Sequence, residues 1–276
     1  MEPFVLQNQT YFLIESWIKQ HPGLIAGITT KNGGNSKGCF ENLNLGFHVG
    51  DTQVDVCSNR TKVAELIQFP LNNWVGAEQT HDIFIKKVTK ADCGRGSDSY
   101  DHSFKGTDGF YTNEKDILLT LCFADCVPLF FIAPDKHMIG AAHAGWKGTV
   151  HGIARKMIEA WGSEGINPKQ IFIAIGPSIC QKCYIVDDYV INIVQNTLED
   201  IDKKPYNLIS DGQYSLNLKE VNRLLLLRAG VPAQNILMTD YCSSCDHKEF
   251  FSHRRDQGRT GRMLSFIGWK ESTNRL

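Results

Sequence analysis

No apolar run in this sequence approaches the ~20 residues that a bilayer-spanning helix needs. Its opening stretch, MEPFVLQNQTYFLIESW, has neither a basic leader nor an apolar segment of signal-peptide type. Charge of one sign is also missing. The formal net charge is -1 over 276 residues, which removes the electrostatic case for nucleic acid or an anionic membrane as partner. No repeat of fixed period and no low-complexity tract interrupts the chain. These absences lead us to expect a soluble, cytoplasmic protein.

Cysteine is present in quantity, but its number argues against disulfides. Nine is odd, the chain is long, and no secretion signal accompanies it, so reduced thiols that pack or bind metal are the better reading. At 42% hydrophobic residues the chain can bury a large core. Strand-like runs recur at 24–30, 83–89, 116–124, 127–133, 171–176 and 235–240, rich in β-branched and aromatic residues and bounded by Gly, Pro or Asp. Several are apolar on both faces, as strands between layers are. Helical spacing marks TVHGIARKMIEAW, with Gly162 as a stop, and DDYVINIVQNTLED. A third helix is expected in SLNLKEVNRLLLLRAGVP, capped by Ser215 and ended by Gly230 and Pro232. The fold class is therefore mixed α and β (α/β). Residues 92–109 form the best candidate for a long loop, and they do not divide the chain, so a single domain over 1–276 is expected.

Three residues share a setting. His81 follows WVGAEQT, Cys126 follows LCFAD, and His143 follows MIGAA, each after or at the end of a strand-like run. A lone cysteine in an apolar run is ordinarily a core residue. Here its company points elsewhere, because one thiolate and two imidazoles make a zinc ligand set with a fourth position open to water or substrate. The intervals between them are too long for a finger or ribbon and suit a site assembled from several strands. After His143, AGWKGT leads into a helix, and Gly145, Gly148 and Lys147 make that turn a candidate anion site. It lacks P-loop spacing. FFSHRRDQGRTGRM carries His253, Arg254, Arg255, Arg259 and Arg262. If Arg254 and Arg255 lie on a strand, at most one of them faces a given site. Two C-x-x-C pairs, Cys180/Cys183 and Cys242/Cys245, raise a Cys₄ zinc as a rival. Their separation far exceeds the ribbon interval, which favours separate structural thiols.

Taken in order, ITTKNGGNSKG, NLNLGFHVGD, AEQTH, ADCVPLFF, AAHAGWKGT, GPSICQKCYIV and FFSHRRDQGRTGRM resemble the motifs of the YlmD/YfiH-type family and its bacillary branch. That family was once labelled multicopper polyphenol oxidase or laccase domain and is now described as purine nucleoside phosphorylases with adenosine deaminase activity. The resemblance runs from about Gly27 to Met263. It implies a layered α/β/β/α sandwich, metal ligands at His81, Cys126 and His143, and purine nucleosides with phosphate as partners. Adenosine, inosine and 5′-methylthioadenosine are the implied substrates of phosphorolysis. Lys31 and Ile185 depart from the family pattern.

A multicopper oxidase needs many imidazoles, typically in H-x-H pairs. Nine histidines without one H-x-H fit zinc better, with Cu(2+) compatible with a His₂Cys set. Neither His81 nor His143 sits in the H-x-E of cytidine-type deaminases, which leaves Glu78, Asp108 and Asp125 as candidate acid/base groups beside Cys126. Phosphate is assigned to Lys147, Arg254 or Arg255, and Asn44 and His48 are candidate pocket groups. Weighed against this reading are an amidohydrolase acting on a cell-wall precursor through zinc or a Cys126 nucleophile, a copper polyphenol oxidase, and a non-enzymatic nucleoside- or metal-binding protein. A homo-oligomer is compatible with all of them.

Overall fold

The computed structural model describes residues 2–198 and 204–271. Two six-stranded sheets lie face to face. The first runs in the order β1 (Phe4–Asn8), β2 (Tyr11–Ile14), β3 (Leu24–Thr29), β15 (Met263–Trp269), β7 (Leu118–Phe123) and β4 (Trp74–Val75). The second runs β14 (Ile236–Met238), β10 (Phe172–Ile175), β8 (Val127–Ala133), β9 (Met138–Ala144), β6 (Gly109–Thr112) and β5 (Ile85–Lys87). A three-stranded sheet of β11 (Ile185–Asp187), β13 (Gln213–Leu216) and β12 (Tyr206–Ser210) stands beside them. The six strand-like runs of the sequence all contain strands, several trimmed at their ends.

Every residue of β3, β8, β9 and β15 is buried, because each strand packs on both faces. Between the sheets, Phe4, Phe12, Phe123 and Ile267 of the first meet Phe130, Ile132, Ile139 and Ala174 of the second. Outside the second sheet, Leu129, Phe131 and Ala142 pack under α4 (Ile153–Ser163), α5 (Asp188–Thr197) and α6 (Leu218–Arg228). Outside the first, Trp74, Leu118, Leu264 and Phe266 meet Val63 and Ala64 of α2 (Gln53–Leu66). The short α1 (Glu15–Gln20) follows β2. The result is the α/β/β/α layering that the family resemblance implies. No described helix is long and apolar enough to cross a membrane.

Three local expectations are corrected. The helix expected in TVHGIARKMIEAW starts earlier, as α3 (Trp146–Val150), and is interrupted at Gly152, whose φ is 88°. Gly162 does not stop α4, which runs on to Ser163. Ser215 is a strand residue, and α6 is capped by Asn217, whose side chain accepts from the N–H of Glu220. The last two residues of DDYVINIVQNTLED lie outside the described residues.

The two C-x-x-C pairs are not separate either. β10 and β14 are parallel neighbours, so the turns that follow them leave the same end of the sheet side by side. A bridge joins Ser178 to Cys242, and Cys180, Cys183, Cys242 and Cys245 cluster within 4.8 Å. Sequence separation measures loop length and says nothing about parallel adjacency.

Candidate metal centre and its cavity

Three segments bring Cys126, His143 and His81 to one point. β7 of the first sheet passes through Ala124, Asp125 and Cys126 directly into β8 of the second. The thiol therefore sits where the chain crosses between sheets. β9 pairs antiparallel with β8, setting His143 opposite Pro128 and its imidazole beside Cys126. His81 comes from the loop after β4 and takes a left-handed φ of 63°. That conformation costs on the order of 1 kcal/mol for a residue with a β-carbon, and Asp108 holds it. The buried carboxylate accepts the N–H groups of Thr80, His81 and Asp82 at 3.1, 3.1 and 3.0 Å. It also meets Nδ1 of His143 at 2.8 Å, while its own carbonyl accepts the His143 N–H at 2.7 Å. With Nδ1 engaged, Nε2 of His143 is left for the centre.

The ligand atoms of the three residues lie within 4.8 Å of one another, and the two imidazole rings sit 4.7 Å apart at 73°. Burial pushes the Cys126 thiol up, but His143 and His81 overcome it and bring it down to about 6. Burial also lowers His143, yet Cys126 and Asp108 carry it up to about 9. A thiolate and an imidazolium thus share a proton where a divalent ion would replace it. The cradle fits such an ion. At Gly145 a β-carbon would lie 2.9 Å from Cδ2 of His81 and 3.0 Å from Sγ of Cys126, so only glycine leaves both ligands in place. Gly145→Ala is expected to lower metal affinity at least about tenfold with the fold intact, read by competition with a chromophoric chelator alongside circular dichroism. The donor set accepts zinc or copper.

Above the centre opens a cavity of ≈ 370 Å³, within the range that takes small organic ligands. It is lined by His81, Cys126 and His143, by the apolar side chains of Trp146, Ile179 and Leu218 with Tyr184, and by Arg254, Arg262 and His253, with the Arg254 guanidinium over the Tyr184 ring at 5.2 Å. His48 also lines it. Burial, then Arg262 and Arg60, hold this imidazole at about 4, so it is neutral at pH 7. The Arg60 guanidinium fixes the His48 loop by donating to the carbonyl of Leu45 at 2.7 and 2.9 Å. Burial pushes the Tyr184 phenol up, leaving it an O–H donor.

Of the other residues singled out in the sequence, Asp125 and Arg254 line this cavity. Asp125 accepts from Ser243 Oγ at 2.6 Å and from the Arg254 N–H at 2.8 Å. Arg255 does not line it: its guanidinium is spent on Asp256 and on the carbonyls of Ser243, Ser244 and Phe250. The two arginines part company because they sit in a turn, not on a strand. Lys147 is exposed, its ammonium 5.7 Å from the Trp146 ring; α3 begins at Trp146, and that side chain takes the cavity wall. Asn44 is buried and does not line the cavity; its side chain accepts from the N–H groups of Gly46 and Arg262. Glu78 pairs with Lys105 at 3.1 Å, and Asp108 stands behind His143 as its orienting partner. Trp146, Tyr184 and Leu218 lie in segments that the sequence analysis quotes, but nothing in the sequence says that these apolar side chains face a cavity.

Residues 25–270 match the family model described as multi-copper polyphenol oxidoreductase laccase. The chain belongs to that family. Within it, the chain is 48% identical to "Purine nucleoside phosphorylase YlmD" of Geobacillus stearothermophilus over 98% of each chain. It is 47% identical to the protein of the same name from Bacillus subtilis, again over 98% of each. The crystal structure of YlmD from G. stearothermophilus superposes with a TM-score of 0.95, covering 98% of this chain and all of that one. A Bacillus licheniformis structure titled hypothetical protein YfiH does so at 0.94, with 48% identity and the same coverage. For the copper in that description, no ligand set for several ions is found among the described residues. Among the described residues the clusters able to hold a metal are one His₂Cys centre and one group of four thiols.

Proposed function

We propose that this chain is a purine nucleoside phosphorylase working with a divalent ion, zinc by preference, held by His81, Cys126 and His143. The observation that carries the reading is the convergence of those three ligands in a cavity lined also by aromatic and apolar side chains and by two arginines. The 48% identity to a relative named for this activity supports it. Adenosine, inosine and 5′-methylthioadenosine are the proposed substrates.

An ion in the centre would supply Lewis acidity in the cavity. The chain's own residues do the rest. Tyr184, Trp146, Ile179 and Leu218 pack the purine, and neutral His48 accepts a hydrogen bond from a ribose hydroxyl. Arg254 and Arg262 receive phosphate, whose oxygen attacks C1′ as the glycosidic C–N bond breaks and the purine leaves with the electron pair. Asp125, held by Ser243, accepts from a purine N–H. Deamination of adenosine at the same centre would replace phosphate by water and C1′ by C6, releasing ammonia.

Chromatography of products from adenosine with and without phosphate tests the reading. Adenine and ribose 1-phosphate should appear only with phosphate, and inosine reports deamination; no turnover of any purine nucleoside overturns the proposal. Arg254→Ala should raise the KM for phosphate about tenfold or more while leaving the nucleoside KM within a factor of about three. The Cys126 thiolate beside His143 also suits direct attack on an acyl group, as in a cell-wall precursor. Chelation separates the two, since it stops phosphorolysis and spares a thiolate nucleophile.

A further inference from the structure

The four thiols at the end of the second sheet are spaced as a metal would space them. Sγ of Cys245 lies 3.8 Å from Sγ of Cys180 and 3.4 Å from Sγ of Cys183, and all four sulfurs fall within 4.8 Å of one another. Tetrahedral zinc with Zn–S bonds near 2.3 Å sets its sulfurs about 3.8 Å apart. All four cysteines are free of disulfides. The N–H groups of Cys180 and Cys245 both point at Sγ of Cys242, at 3.2 and 3.3 Å, donors that favour the thiolate form. Lys219 braces the second turn. Its side chain is buried, and its ammonium donates to the carbonyls of Thr239 and Tyr241 at 2.7 and 2.9 Å, which ties the start of α6 to the residues that lead into Cys242.

We infer that Cys180, Cys183, Cys242 and Cys245 form a structural tetrathiolate zinc site, distinct from the His81–Cys126–His143 centre, that clamps two cavity-bearing turns together. All four ligands come from protein, which leaves no position for substrate. The clamp reaches the cavity through short covalent paths. Ile179 and Tyr184, both in the cavity wall, flank the turn that carries Cys180 and Cys183. Ser243, between the other two cysteines, holds the Asp125 carboxylate at 2.6 Å. The carbonyls of Ser243 and Ser244 anchor Arg255, next to Arg254, which lines the cavity. Binding zinc releases the thiol protons to solvent as the four Zn–S bonds form, and no redox partner is required.

Elemental analysis of the full-length protein, purified under reducing conditions from zinc-supplemented cells, tests the site. Wild type should carry two zinc ions per chain, and His81→Ala/His143→Ala one that resists dilute chelator. In that variant the four thiols should react with a thiol reagent only after denaturation or strong chelation. Cys180→Ser/Cys245→Ser should keep one ion, lose thermal stability, and raise the nucleoside KM severalfold with the His₂Cys ion still bound. If that double variant fails to fold, the histidine variant alone decides. A histidine variant with no tightly bound zinc, with iron in its place, or with a disulfide among these cysteines by mass spectrometry would overturn the inference. The histidine variant has no working centre, so its zinc content is read whatever the fate of the phosphorylase proposal.

Discussion

Cys126→Ala is expected to empty the His₂Cys centre and cut phosphorolysis by at least about 10³-fold, with little change in fold. The reason lies in the geometry of the crossing between sheets. Cys126 supplies the only sulfur and the only anionic ligand of the three residues, and it does so from a backbone pinned on one side by β7 and on the other by β8. Without it, two imidazoles remain, too few neutral donors to hold zinc against chelators at physiological concentration. The alanine β-carbon still fits, and Asp108 still pairs with His143 at 2.8 Å, so the surrounding structure should stand. Metal content, steady-state kinetics and thermal unfolding of the same preparation separate the outcomes. Wild-type turnover by a variant verified to lack metal would remove the centre from the mechanism. His143→Ala should be as inactive but less stable by about 2 kcal/mol, because it strips the buried Asp108 carboxylate of one of its donors.

Asp108→Asn should weaken metal binding 10- to 100-fold and cost on the order of 2–3 kcal/mol of stability, although residue 108 touches neither ion nor substrate. The carboxylate serves three backbone N–H groups, the Thr80 hydroxyl and the His143 imidazole together. An amide has one oxygen where the carboxylate has two, and its NH₂ would face donors. Two consequences follow for the centre: the Thr80–Asp82 loop loses what holds His81 at positive φ, and His143 loses the partner that fixes its tautomer. A pH profile adds a check with a definite sign. Burial alone would raise the Asp108 carboxyl, but His143 and the N–H groups of Asp82 and Thr80 carry it below the ordinary value. Its stabilisation is then fully present above about pH 4 and is lost as pH falls through the depressed value. The asparagine variant should lack that part of the acid-side loss. Unchanged metal affinity in Asp108→Asn would show that backbone packing alone positions the histidines.

Much of this architecture was legible because its strands are buried on both faces, which leaves uninterrupted apolar runs such as VPLFFIA. The positions of His81, Cys126 and His143 were legible for the same reason, since polar residues at the ends of such runs mark sheet edges. The partners that orient them were not. Asp108 reads as one of three candidate acid/base groups, and its orienting role emerges only where the chain entering β6 sets its carboxylate 2.8 Å from Nδ1 of His143. Lys147 looked like an anion ligand until the helix proved to begin at Trp146, and Arg255 proved to be spent on Asp256 and three carbonyls. Ser215 resembled a cap because serine suits both roles, and β13 claimed it first. The four thiols show the largest gap. Two C-x-x-C turns 62 residues apart meet only because β10 and β14 are parallel neighbours, and parallel pairing leaves no local mark in a sequence.

The central claim is that one ion, held by His81, Cys126 and His143, is required for phosphorolysis of purine nucleosides in the cavity above it. The most direct measurement is stepwise re-addition of zinc to metal-depleted protein, following ribose 1-phosphate formation and ions bound together. Activity should rise in proportion to filling of the histidine-containing centre and stay at background in His81→Ala/His143→Ala at every zinc level. Full activity in the depleted protein, or equal recovery by the double histidine variant, would contradict the account.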